Sequence, residues 1–228
     1  MPVTMARQMT RHVIGFLLAA SLALALQQQA LAQAPAPASN LIDQLSGSDT
    51  PVDVDVAALQ QQVAARIQAR ADADASKRPP VAPQFLKLPQ STFDVVFDPD
   101  TPVIRPQSYA AIGRIADALS DPKLRAYAFL VIDHTEATGR RAPNLLLSQR
   151  RADAIRGILS GTFNIPSRRL QAIGLGEEQL RDAAHAASQA NARVQIVNIG
   201  LAPAPPPAPA ANTPAPAKKS SSAPAKRR

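Results

Sequence analysis

No cysteine occurs among the 228 residues. This chain therefore has no disulfide, no thiolate metal site and no thiol-linked lipid anchor, and its stability must come from packing. Recognisable catalytic signatures are missing as well. Gly174-x-Gly176 is not followed by the third glycine of a dinucleotide loop, and no strand leads through it into a helix. There is no Gly-x-Ser-x-Gly elbow, and no serine, histidine and acid fall into a triad arrangement. No two carboxylates pair convincingly for acid–base work. His134 stands between Asp133 and Glu136, but no second histidine is spaced to join it, whereas catalytic zinc generally takes more imidazole. We therefore expect no enzymatic activity, no cofactor and no metal. The longest apolar run, residues 13–26, falls short of the roughly 20 residues a membrane-spanning helix needs and breaks into Gln27-Gln28-Gln29. Repeated alternating segments of about ten residues, the mark of a membrane β-barrel, are not seen ahead of the central region.

Positive charge is abundant, but it sits at the ends. The net charge is +8, and two of those charges, Arg7 and Arg11, lie before the first apolar run, with no acid near them. Five more, Lys218, Lys219, Lys226, Arg227 and Arg228, lie in an acid-free tail after Gly200. Setting both groups aside leaves the intervening stretch at +1, so the central region is nearly neutral and nucleic acid is not an expected partner. Arg7, Arg11, the apolar run and the small-x-small sequence Ala30-Leu31-Ala32 together read as a cleaved secretory signal peptide, residues 1–32. The mature protein is then expected in the periplasm. Its tail would touch anionic surfaces only weakly and in a salt-sensitive way.

Residues 33–54 are rich in Pro, Ala, Ser and Asp, a composition that predicts disorder. Residues 55–76 place Val56, Leu59, Val63 and Ile67 at helical spacing, an amphipathic stripe able to pack on a domain or on a second copy. A Pro-rich linker, residues 78–89, closes this 33–90 segment. Residues 91–200 are the part able to build a core. Phe93, Val95 and Phe97 alternate as in a strand. Ile112, Ile115, Ala116 and Leu119 mark a helix, and residues 127–132 a second strand. After a polar loop, Asn144 is a suitable N-cap for a helix whose inner stripe is Ser148, Ala152, Ile155 and Leu159. Residues 170–173 and 194–199 read as strands, with an Ala-rich third helix between them at 178–190. The order βαβαββ predicts an α/β two-layer sandwich, a mixed sheet with helices on one face. It would be flanked by the helical N-terminal segment and by disordered tails, the second of them residues 201–228.

The densest polar cluster is Asp133-His134-Thr135-Glu136, followed by Gly139, Asn144, Leu147-Ser148 and Arg151-Ala152. In its order and intervals this run, HTEATGRRAPNLLLSQRRA, resembles the signature of the OmpA-like C-terminal domain. The resemblance extends to Phe97-Asp98 with Ile104 and Pro106, to Ile173-Gly174-Leu175-Gly176-Glu177, and to Asn191-Ala192-Arg193-Val194. It covers residues 93–200.

That resemblance implies non-covalent binding of peptidoglycan through the diaminopimelate of its stem peptide, and association with the cell wall or outer membrane, with an envelope protein as a further partner. Diaminopimelate presents an ammonium and a carboxylate on one short arm, so its recognition needs an anion and a cation held apart. By the family pattern Glu136 meets the ammonium, and Arg151 meets the carboxylate in a fork. Asp98 matches a second acidic ligand position. Phe97 and Leu147 supply an apolar wall, Thr135 and Asn144 belong to the same run, and Arg193 completes the charge. Three residues depart from the pattern: Glu136 replaces Asp, Asp133 replaces Gly and Ala192 replaces Arg. Asp133 adds an anion beside the site that would either weaken carboxylate binding or pair with Arg140 or Arg141. The alternative reading is a structural or assembly protein of the envelope whose OmpA-like pocket has degenerated.

Overall fold

The computed structural model describes residues 38–47, 51–69 and 74–204. The signal-peptide reading and the basic tail beyond residue 204 lie outside the described residues. Two helices precede the sheet, α1 (Ala38–Leu45) and α2 (Val56–Gln68). There follow β1 (Gln90–Phe93), α3 (Tyr109–Ser120), β2 (Tyr127–His134), α4 (Arg141–Gly161), β3 (Leu170–Gly176) and β4 (Arg193–Leu201). From β1 onward the order is the expected βαβαββ. The four strands stand in the order β1-β4-β2-β3. β4 runs antiparallel to both β1 and β2, and β2 runs parallel to β3. The sheet is therefore mixed, as the sequence predicts. No helix among the described residues is long and apolar enough to cross a membrane.

Alternation along the strands feeds two cores. Phe129, Val131, Val194 and Ile196 face one side, where they meet Ile112, Ile115 and Leu119 of α3 and Ala152, Ile155 and Leu159 of α4. Those are the two helical stripes read from the sequence, and all six side chains are buried. Leu130, Ile132, Ile173, Leu175 and Val197 face the other side, where they meet Leu59 and Val63 of α2 together with Val81, Ala82 and Phe85. The amphipathic helix thus packs on its own domain and adds a layer behind the two-layer sandwich.

The segment before β1 differs most from expectation. Within residues 33–54 the structure forms α1, whose Leu41 and Leu45 are buried beside α3. Asn198 Nδ2 donates to the Leu45 carbonyl at 2.7 Å, and Val52 N–H donates to Ile199 O at 2.9 Å. The composition of this stretch is poor in apolar residues, but Leu41, Ile42 and Leu45 lie on one helical face and cover the apolar surface of the sheet. The expected linker is likewise docked, because Phe85 fills the second core and Arg78 is engaged in a buried ion cluster. Two further corrections concern local structure. β1 lies at Gln90–Phe93, earlier than the Phe93-Val95-Phe97 alternation suggests, and Phe97 makes an isolated bridge with Ile104. Residues 178–190 form turns, closing in a 3-10 turn at Gln189–Asn191, rather than an α-helix. The Asn191 side chain accepts from the N–H groups of Arg181 and Asp182 and donates to the carbonyls of Asp182, His185 and Ala186, and these bonds displace the i→i−4 pattern that alanine favours.

α4 lies hard against β3. A Cβ on Gly174 would overlap the Gln149 backbone nitrogen, and one on Gly176 would meet Leu145 N at 2.9 Å. Ser148 Oγ accepts from Gly176 N–H at 2.9 Å and Gln149 Oε1 from Gly174 N–H at 2.7 Å. The glycines therefore fix how closely α4, and with it Arg151, approaches the sheet.

Candidate ligand cleft

An open cleft of about 820 Å³ lies where the C-terminal end of β2 meets the start of α4. Residues 94–105 form one wall, the 135–144 segment another, and Ala187, Gln189, Ala190 and Ala192 a third. Six of the eight residues singled out from the sequence line it: Phe97, Thr135, Glu136, Asn144, Leu147 and Arg151.

Arg151 is held in place by two contacts. Its guanidinium lies over the Phe97 ring, 4.6 Å from the centroid, a cation–π geometry. Its Nε donates to Thr101 O at 3.0 Å. One donor is thus engaged with the 97–104 hairpin, and the two terminal nitrogens remain for a ligand. Among the described residues no carboxylate pairs with them. Glu136, half-buried, lines the same cleft, and its carboxylate makes no ion pair among the described residues.

Asn144 has a different role from the expected one. α4 begins at Arg141, with Arg140 preceding it and no side-chain cap, because Pro143 fits within the first turn, where its missing N–H leaves no bond unmade. Asn144 instead donates to Thr138 O at 2.8 Å and to Glu177 Oε2 at 2.8 Å, with Glu136 O at 3.5 Å. It ties the loop to the helix from within.

Two expected residues stand apart from the cleft lining. Asp98 pairs with Arg105 Nε at 2.9 Å, both side chains being partly exposed. Arg193 is buried and donates to the carbonyls of Asn191 and Gln179 at 3.1 Å. Its motif position is kept, but the side chain braces the 177–192 loop instead of facing a ligand. Burial pulls its pKa down to about 10, and Arg181 nearby acts in the same direction.

Asp133, one of the departures from the family pattern, is buried, with Oδ2 unpaired. Neither expected partner reaches it. Arg141 is bound to Glu178 in a fork at 2.6 and 2.7 Å, and the cations acting on Asp133 are Arg151 and Arg193. Burial raises its pKa well above the ordinary aspartate value despite those two arginines. Neutralisation of this carboxyl would remove the added anion that the sequence places beside Arg151. His134 does not bond to the backbone as a loop-shaping residue would. Its Nε2 meets Gln195 Oε1 at 2.6 Å, and its Nδ1 is buried without a partner. Burial, reinforced by Arg193 and opposed by the Gln195 bond, pushes its pKa down to about 3. Neutral His134 then donates from Nε2.

Sequence reasoning names Glu177 only as the end of a glycine-turn motif and gives neither it nor Glu178 a role. Both are buried, and they gather Arg78, Arg141, Arg66 and Asn144 around them. Paired acids straight after a glycine turn were the available signal, but their partners lie 33 (Asn144–Glu177) to 112 (Arg66–Glu178) positions away in the chain.

A family model described as the OmpA family matches residues 96–194. The chain is 33% identical over 115 residues to outer membrane porin F of Pseudomonas aeruginosa, covering 50% of this chain and 32% of the relative. It is 36% identical over 104 residues to outer membrane porin F of Pseudomonas fluorescens, covering 45% and 31%. The chain therefore spans about a third of the length of these curated relatives. Among solved structures, the peptidoglycan-associated lipoprotein from Burkholderia pseudomallei is 28% identical, with a TM-score of 0.37, over 50% of this chain and 91% of its own.

Proposed function

Residues 96–194 form a domain of the OmpA family, and on that premise we propose that the chain binds peptidoglycan non-covalently through the diaminopimelate of the stem peptide and so anchors itself to the cell wall. The observation that carries this reading is the sharing of one open cleft by Glu136 and Arg151, with Phe97 and Leu147 in its lining. An ammonium is offered a carboxylate from the loop. The ligand carboxylate is offered the free end of a guanidinium whose orientation is already set by Phe97 and Thr101. Such preorganisation lowers the ordering cost of binding. The role requires export, which the reading of residues 1–32 as a signal peptide supplies, and it requires no bond to be broken.

Purified sacculi test the proposal. The wild-type protein should sediment with them, and Glu136→Ala and Arg151→Ala proteins should stay largely in the supernatant. Equal retention of both variants would show that the cleft is not where the wall is held. No soluble muropeptide should appear during the incubation.

A further inference from the structure

We propose that Arg78, from the segment preceding the domain, is a positioning residue for this cleft, acting through Glu177 and Asn144 on the loop that carries Glu136. This rests on the stem-peptide reading of the cleft. Arg78 Nη1 donates to Glu177 Oε1 at 2.9 Å and to Glu177 O at 3.3 Å, and both side chains are only 5% exposed. The other carboxylate oxygen of Glu177 accepts from Asn144 Nδ2 at 2.8 Å. The same nitrogen donates to Thr138 O at 2.8 Å, and Glu136 O lies 3.5 Å away. A continuous chain of hydrogen bonds thus runs from residue 78 to the loop facing the ligand, although Arg78 and Glu177 are not part of the cleft lining.

The chemistry of Glu177 makes the link specific. A carboxylate offers an oxygen to each of two donors, so it can hold Arg78 and Asn144 at once. With Arg78 removed, a buried carboxylate would keep one neutral donor, and its cheapest relief is to turn toward water. That response releases Asn144, and the loop then loses the bond that fixes its carbonyls. The neighbouring Glu178 provides an internal comparison. It takes a longer contact from Arg78 Nη1 at 3.5 Å as well, but its bonds to Arg141 and its contact with Arg66 at 3.9 Å brace the start of α4 and the docked α2. They do not run through Asn144.

Titration of the full mature chain with a soluble diaminopimelate-containing muropeptide tests the link. Arg78→Met should weaken binding by roughly three- to tenfold, the scale of coupling through a packed network. In an Asn144→Ala background the same substitution should have no further effect on affinity. Arg66→Met should lower the melting temperature while leaving affinity at the wild-type value. If Arg78→Met does not fold, Glu177→Gln cuts the same link, because the amide NH2 takes the place of one carboxylate oxygen and faces either Arg78 or Asn144, both of them donors. Wild-type affinity in the folded variant, or a loss that simply adds to that of Asn144→Ala, overturns the proposal while Glu136→Gln and Arg151→Ala still lose binding. Wild-type affinity in those two cleft variants instead overturns the stem-peptide reading itself.

Discussion

Replacing Arg151 by methionine isolates the cationic half of the cleft. The aliphatic stem is kept, so packing against α4's neighbours changes little. Three things are lost: the contact over Phe97, the bond to Thr101 O, and the free guanidinium end. The first two belong to the unliganded fold and cost about 1–2 kcal/mol of stability between them. The third appears only with ligand present, where a hydrogen bond to a charged group contributes about 1.5–3 kcal/mol. That range corresponds to a roughly 10- to 150-fold rise in Kd. Arg151→Lys should fall between the two proteins, since it keeps the charge but not the planar fork. Isothermal titration with a diaminopimelate muropeptide reads affinity directly, and thermal unfolding reads the stability share. An Arg151→Met protein that binds within threefold of wild type would refute the assignment of the carboxylate to this guanidinium.

Three other outcomes follow from the fold. His134→Gln should flatten the pH dependence of stability. Native His134 stays neutral down to about pH 3 while the unfolded residue takes a proton near pH 6.5, so between those values the unfolded state holds the extra proton. Stability from this group is therefore lost as pH falls, by about 1.4 kcal/mol per unit within that window. Asp133 acts with the opposite sign above its unfolded value, because its raised native pKa lets the folded state take the proton first. Only the wild-type minus His134→Gln difference isolates the histidine. Leu45→Ala should cost about 2–5 kcal/mol in denaturant unfolding, as for a fully buried leucine, whereas an unstructured residue 45 would give no change. Asn191→Ala should leave several backbone groups of the 177–192 loop without partners and cost at least about 2 kcal/mol. Hydrogen exchange at the Arg181 and Asp182 amides should accelerate before that of the β4 amides.

Sequence legibility followed the range of the interactions. The stripes of α2, α3 and α4 were visible because burial repeats every three or four residues along one helix, and each was found on a core face. The cleft residues of the 134–152 run were visible because a loop and the helix after it are contiguous. What the sequence did not show depends on distant partners. α1 owes its place in part to β4, 153 positions further along the chain at the Asn198–Leu45 bond. The Ala-rich stretch has helical composition but is overruled by one buried asparagine at its far end. Asp98 and Arg193 keep motif positions yet point their charges at Arg105 and at loop carbonyls. Nothing local distinguishes that outcome from a ligand contact.

A crystal of the mature chain soaked with meso-diaminopimelate is the most direct measurement. The ammonium should lie within hydrogen-bond distance of the Glu136 carboxylate, and the adjoining carboxylate on the terminal nitrogens of Arg151, with Arg151 still stacked over Phe97. Electron density for the amino acid elsewhere, or a cleft left empty at saturating concentration, would contradict the account.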